Sequence, residues 1–224
     1  MVQQTTGARD PLLEQLRDVG VYSLHIAHPS IDQDAVAETW ILNDICTISG
    51  WGLTHDYEED LFDEPGVEVD AASIKPAFRN GNKIDWDTIR DAIADNHFAG
   101  NEDYENPNYP AGQARGSIRR FVDEYQSDTR ILANLPAGTA VGRITGPPVY
   151  DPTNPIAASY DSHHVFTRNV KWTRDAHGDI LTVDDSELLP DSFKHGRPST
   201  TSVDASVLED FIAVGRFTDG LTSE

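Results

Sequence analysis

The chain has one cysteine, Cys46, in 224 residues. That excludes an internal disulfide and fits a reducing compartment, so the expected location is cytoplasmic. Lysine is scarce. Of 17 basic residues only Lys75, Lys83, Lys171 and Lys194 are lysines. No apolar run approaches the ~18 residues a membrane span needs, so no membrane contact is expected. The opening MVQQTTGARDPLLEQL lacks a basic stretch followed by an apolar one, and no secretory signal is read there. Neither a Walker A phosphate loop nor a dinucleotide fingerprint is present. Glu68, Asp70 and Lys75 could be set out as a nuclease site. With 38 acids in the chain, such groupings arise by coincidence. The expectation is a non-enzymatic protein without a cofactor.

What is abundant is negative charge. Asp and Glu number 38 against 17 basic residues, a net charge of −21. The acids are spread along the whole chain rather than gathered in a tail. A lysine-poor, acidic surface suits a cytoplasm holding molar salt, where the Debye length falls to ~3 Å and mutual repulsion is screened. An ordinary acidic protein, or one that contacts basic partners, is the alternative. In low salt this charge would oppose nucleic-acid binding, which draws on counterion release. In molar salt that penalty fades, and a reader would rely on stacking, shape and direct hydrogen bonds.

The length suits one domain with a structured arm. Asp10 and Pro11 open a helix ending near Asp18. Val21 to Ile26 is expected as a strand, and Ser30 is the expected cap of a helix carrying Val36, Trp40 and Ile41. Residues 54–70 are acidic and broken, which predicts a loop outside the core. Asp85 caps a helix from Trp86 to Phe98. Residues 100–112 are a polar loop, and Gln113 to Tyr125 is a helix with Ile118, Phe121, Val122 and Tyr125 inward. The period then changes to two. Arg130 to Leu135 and Thr139 to Thr145 form strands joined by Pro136-Ala137-Gly138, followed by strands at His163 to Trp172 and Asp179 to Val183. The last forty residues are polar, with a short amphipathic piece at Val207 to Val214. This order indicates an α+β protein with a small curved antiparallel sheet or barrel after residue 128.

Four segments in this order, RGSIRRFVDEYQ, RILANL, TAVGRITGPPVYDP and HHVFTRNVKW, resemble PUA-like domains of the EVE type. Those domains occur alone and in McrBC-like modification-dependent restriction proteins. Upstream, CTISGWGL resembles the segment that brings a Trp beside the pocket. Asp128-Thr129 stands where the family has Gly-Asp, and Pro147-Pro148 replaces an acidic residue and an aromatic. The resemblance implies a PUA-like β-barrel over residues 43–190, interrupted by an insertion at 54–110. A helical arm (1–42) precedes it and a polar extension (191–224) follows. It also implies a pocket for a modified base, read after eversion from the stack, most plainly in DNA and in a restriction or defence setting. Motor or nuclease subunits would then be separate partners.

Such a pocket needs an aromatic wall, since stacking returns ~1–3 kcal/mol per base. Trp51, between Gly50 and Gly52, is the first candidate; a core position at a strand bend is its alternative. Tyr150 is a possible second wall, and Trp172 fits a core position better. Gly142 and Gly146 bracket a strand where missing side chains permit close approach. Arg115 and Arg119 share a helix face and could grip phosphate, or simply pair with acids such as Asp123. Arg143 and Arg168 lie on strands and could line the groove. An RNA-binding protein of the same fold is one alternative. A metal-dependent hydrolase using His25, His28 or His163 is another, although these histidines lack the spaced partners of a zinc site.

Overall fold

The computed structural model describes residues 20–26, 32–53, 61–101, 105–160, 164–174, 177–180, 182–183, 200–204 and 206–207. The expected helix at 11–18 and most of the piece at 207–214 lie outside them.

The main sheet starts with β1 (Val21–His25), β2 (Ile45–Ile48) and β3 (Val67–Glu68). It continues through β6 (Arg130–Leu135), β7 (Gly138–Ile144), β8 (Val149–Tyr150), β9 (Phe166–Trp172), β10 (Thr182–Val183) and β11 (Thr200–Val203). A separate hairpin pairs β4 (Arg79–Asn80) with β5 (Lys83–Ile84). The path through the main sheet runs β11-β1-β6-β7-β9-β8-β3, with β10 on β7 and β2 on β9. The result is an α+β protein with a curled, mixed sheet. Mixed is a correction to the expected antiparallel one: β1 lies parallel to β6, Val21 opposite Arg130 and His25 opposite Asn134. Sheet hydrogen bonds thus cross both sequence boundaries, at 42 and at 190, because β1 is held between β6 and β11.

Four helices cover this sheet: α1 (Gln33–Asn43), α2 (Trp86–Ile93), α3 (Asn108–Arg119) and α4 (Pro155–Tyr160). The cap of α1 is Asp32 rather than Ser30; its carboxylate accepts from the Ala35 amide at 3.1 Å. The helix buries Val36 and Trp40, and Trp40 lies against Trp172 at 6.5 Å between rings. Asp85 caps α2 as the sequence indicates, accepting from the amides of Asp87 and Thr88. Both α2 and α3 continue into π-helical turns, Ala94–Phe98 and Arg120–Glu124. The second buries Phe121 and Val122, the inward stripe expected of that segment. No helix among the described residues is long and apolar enough to cross a membrane.

One expectation fails because of the free energy of apolar burial. Leu61, Phe62 and Val69, within the stretch expected to be a solvated loop, are buried. Phe62 stacks on Tyr150 at 4.3 Å and meets Phe166 edge-on at 6.2 Å. Burying one such ring is worth ~1.5–3 kcal/mol, enough to draw an acidic segment onto the core. The polar C-terminal stretch supplies β11, whose Thr200 is buried through hydrogen bonds rather than apolar contact. There Thr200 is held by the Tyr125 hydroxyl and by Arg120 Nε, which donates to its carbonyl at 3.1 Å.

Candidate nucleic-acid interface

Strand β9 organises one end of the sheet. Its Phe166 and Thr167 are paired on one edge with Ile48 and Thr47, and on the other with Tyr150 and Val149. Because β2 and β8 both run antiparallel to β9, they leave the sheet at the same end. The turn Gly50–Leu53 and the segment from Asp151 to Asn154 therefore emerge side by side. Between them lies a buried polar chain. Trp40 Nε1 donates to Thr47 Oγ1 at 3.0 Å, and Thr47 Oγ1 lies 2.9 Å from His164 Nδ1. Asn154 Nδ2 donates to the His164 carbonyl at 2.7 Å. An indole N–H can only donate, so the Thr47 hydroxyl is free to give its own proton to Nδ1.

At this end Trp51 stands on a type I′ turn. The Leu53 amide donates to the Gly50 carbonyl at 3.1 Å, with Trp51 at φ 45° and Gly52 at φ 80°. Type I′ turns favour Asn, Asp or Gly at both central positions. Placing tryptophan there costs roughly 1–2 kcal/mol. The indole is half-buried and packs on the edge of the core. Gly52 seats the turn on the first π-helical turn. A Cβ at Gly52 would meet His97 Cβ at 3.2 Å and Asn96 Cβ at 3.3 Å.

The other aromatic and glycine candidates are structural. Tyr150 is buried against Phe62 and offers no wall to a ligand. Trp172 is buried, and its Nε1 donates to the Trp40 carbonyl at 3.2 Å. Gly142 is approached by its own sheet neighbours rather than by a ligand: an added Cβ would lie 2.6 Å from Val170 Cγ1 and 2.9 Å from the Trp172 ring. Gly146 sits by Asn169, away from the end where Trp51 emerges; a Cβ there would lie 3.0 Å from Asn169 Nδ2.

The arginines divide sharply. Arg168 is not a groove residue. Its buried guanidinium donates from Nε to the Phe121 carbonyl at 2.8 Å, from Nη2 to Val122 at 2.9 Å and from Nη1 to Gly146 at 3.0 Å. It thereby satisfies carbonyls of the second π-helical turn, which no following turn can reach. Burial lowers its pKa to about 10, well above neutrality, so the cation persists. Arg143 pairs with Asp128 at 2.7 Å. Asp128 itself has φ 76°, so it adopts the left-handed backbone at the position where the resembling family has glycine. Arg115 and Arg119 do face a shared surface. Together with Lys83, Ile84 and Asn80 of the β4–β5 hairpin, and with Asp85, Trp86 and Asp87 at the start of α2, they line a hollow of about 400 Å³.

Lys83 and Trp86 were not foreseen as site residues. A tryptophan at the first position of a helix, three residues after a lysine and a hairpin turn, was the available signal. Among the described residues no group of three or more His, Cys, Asp or Glu is placed to hold a metal. His28 and His163 lie outside those residues. His25 is buried on β1, and desolvation lowers its pKa to about 4. Cys46 is buried in β2, its thiol pushed up to about 12 by burial, against the pull of Arg168.

Comparison with known proteins returned nothing: no family model, no curated protein and no solved structure matches the chain.

Proposed function

We propose that this chain is a nucleic-acid-binding module of PUA-like character that reads a base, most plainly a modified base in DNA. The carrying observation is Trp51, held at φ 45° on a turn between two glycines with its indole half-buried. A bulky residue kept in a costly backbone conformation points to use rather than to packing convenience. From that turn the indole is available as one face for an everted base. Lys83, Arg115 and Arg119 gather cations around the hollow beside Trp86, on a chain whose net charge is −21. The module would work with separate motor or cutting subunits in defence against foreign DNA.

The test is a titration of wild-type and Trp51→Ala protein with methylated and unmodified duplexes, in KCl at about 1 M. The reading expects wild type to prefer one duplex by at least about tenfold, as one lost stacking contact implies, and the variant to lose that preference. Equal affinity in all four combinations sinks it. RNA competitors in the same titration decide between the two nucleic acids.

A further inference from the structure

We infer that the hollow between the β4–β5 hairpin, α2 and α3 holds one nucleotide of a bound strand, with its phosphate on Lys83, Arg115 and Arg119 and its base against Trp86. This inference rests on the nucleic-acid reading but concerns a different part of the molecule from Trp51.

The hollow has the size of a small-ligand site, at about 400 Å³. Its aromatic wall is already fixed. Trp86 Nε1 donates to Asp123 Oδ2 at 2.9 Å, so the indole edge is engaged, and the half-buried ring, packed on the core, lines the hollow. Besides Asp123, two further carboxylates stand beside it, and both are committed elsewhere. Asp85 caps the α2 amides, and Asp87 lies 3.5 Å from Arg90, which also binds Asp91 at 2.7 Å. Arg115, by contrast, is poorly matched. Its Nη1 reaches Asp87 only at 3.8 Å, and its buried Nε has no acceptor among the described residues. Arg119 and Lys83 are exposed. Three cations line the hollow with Trp86, none in a close ion pair among the described residues although Arg119 acts on Asp123 across space, and they fit a phosphate joined to a flat base. A bare phosphate would leave the indole unused, and a neutral aromatic would leave the cations unused.

Geometry ties this subsite to the reader's turn. Trp86 opens α2, while Gly52 rests on Asn96 and His97 in the π-helical turn that ends the same segment. At about 1.5 Å per residue, Trp86 and the point where Gly52 rests on Asn96 and His97 lie roughly 15 Å apart along that axis. Four or five stacked nucleotides, at about 3.4 Å each, cover the distance. The hollow would hold the strand while Trp51 contacts a base several positions away.

The experiment uses the full chain and oligothymidylates from about two to about ten nucleotides, followed by anisotropy, with thymidine monophosphate and inorganic phosphate as competitors. Wild type is expected to gain affinity steeply as length passes about five nucleotides. Arg119→Glu changes an exposed side chain. It is expected to weaken binding about tenfold for every sequence and to lower the salt slope by about one, leaving any base preference intact. Trp86→Leu, which keeps apolar bulk without a ring face, should lose about tenfold; a thermal melt checks that it is folded. Thymidine monophosphate should compete better than inorganic phosphate. The inference is overturned if both folded variants bind like wild type, if phosphate competes equally with the nucleotide, or if a mononucleotide binds as tightly as the longest strand. Those outcomes leave Trp51-dependent base preference standing. Loss of that preference in Trp51→Ala with the Arg119 and Trp86 effects absent isolates the failure here, whereas absence of all nucleic-acid binding removes both.

Discussion

Replacing Arg168 with methionine removes a buried cation and three donors while keeping much of the side chain's length. The carbonyls of Phe121, Val122 and Gly146 then lose partners at 2.8, 2.9 and 3.0 Å. Each buried acceptor left unsatisfied costs ~1–3 kcal/mol. The gross loss is therefore roughly 3–9 kcal/mol, offset in part because a desolvated charge is no longer maintained. A net destabilisation of about 4 kcal/mol is expected. At ~2–4 °C per kcal/mol for a chain of this size, the melting temperature falls by roughly 8–16 °C. Urea unfolding and thermal melts by circular dichroism, in KCl at about 1 M, measure both. Arg168→Lys keeps the charge but concentrates its donors on one nitrogen, which cannot span both helix carbonyls and Gly146. It should recover no more than about half the loss. Because the site is buried, the effect should change little with salt. A methionine variant within about 1 kcal/mol of wild type, or full recovery with lysine, refutes the reasoning.

His25 titrates near 4 in the folded chain because burial disfavours its charged form, against about 6.5 when unfolded. Below about pH 6.5 the unfolded state binds more protons, so stability due to this neutral histidine is whole above that pH. It is lost as pH falls toward 4, by about 3 kcal/mol in all. Urea melts between about pH 7 and 4 should show a shallower acid limb for His25→Gln than for wild type, and parallel limbs contradict this. With its thiol raised to about 12, Cys46 should ignore a thiol-specific disulfide reagent in native protein and react only at the rate of unfolding; prompt labelling without urea contradicts its burial. Gly142→Ala forces a methyl into Val170 and Trp172, at 2.6 and 2.9 Å, and should cost ~1–3 kcal/mol in urea melts. An unchanged midpoint shows that the strands separate more easily than their packing implies.

Strand β9 was legible because alternation over seven residues has one physical meaning, β6 and β7 as short apolar runs joined by the turn Pro136-Ala137-Gly138, and Asp85 as a cap because its role is local. The burial of Phe62 was not. Only Tyr150 and Phe166, about ninety and a hundred residues further on, make that acidic segment worth folding inward. The parallel β1–β6 pair escaped for the same reason, since register between distant strands leaves no local trace. Among site residues, Arg115 and Arg119 were visible as a helix face, while their hairpin partner Lys83 and neighbour Trp86 are brought near only by tertiary packing. Arg168 shows the opposite failure. An arginine on an alternating strand suggests solvent or ligand, and nothing local reveals that two helical carbonyls, 46 and 47 residues away, wait for its guanidinium.

The claim on which the functional account depends is tested most directly by the salt dependence of binding to a labelled single-stranded oligonucleotide of about ten nucleotides. Affinity is followed by anisotropy from about 0.1 M to about 2 M KCl. Three phosphate-contacting cations predict a slope of log K against log salt near −2, at about 0.7 per phosphate on a single strand. Measurable binding should persist at the high-salt end through stacking on the indoles. No binding at any salt, or a slope of zero, contradicts the account.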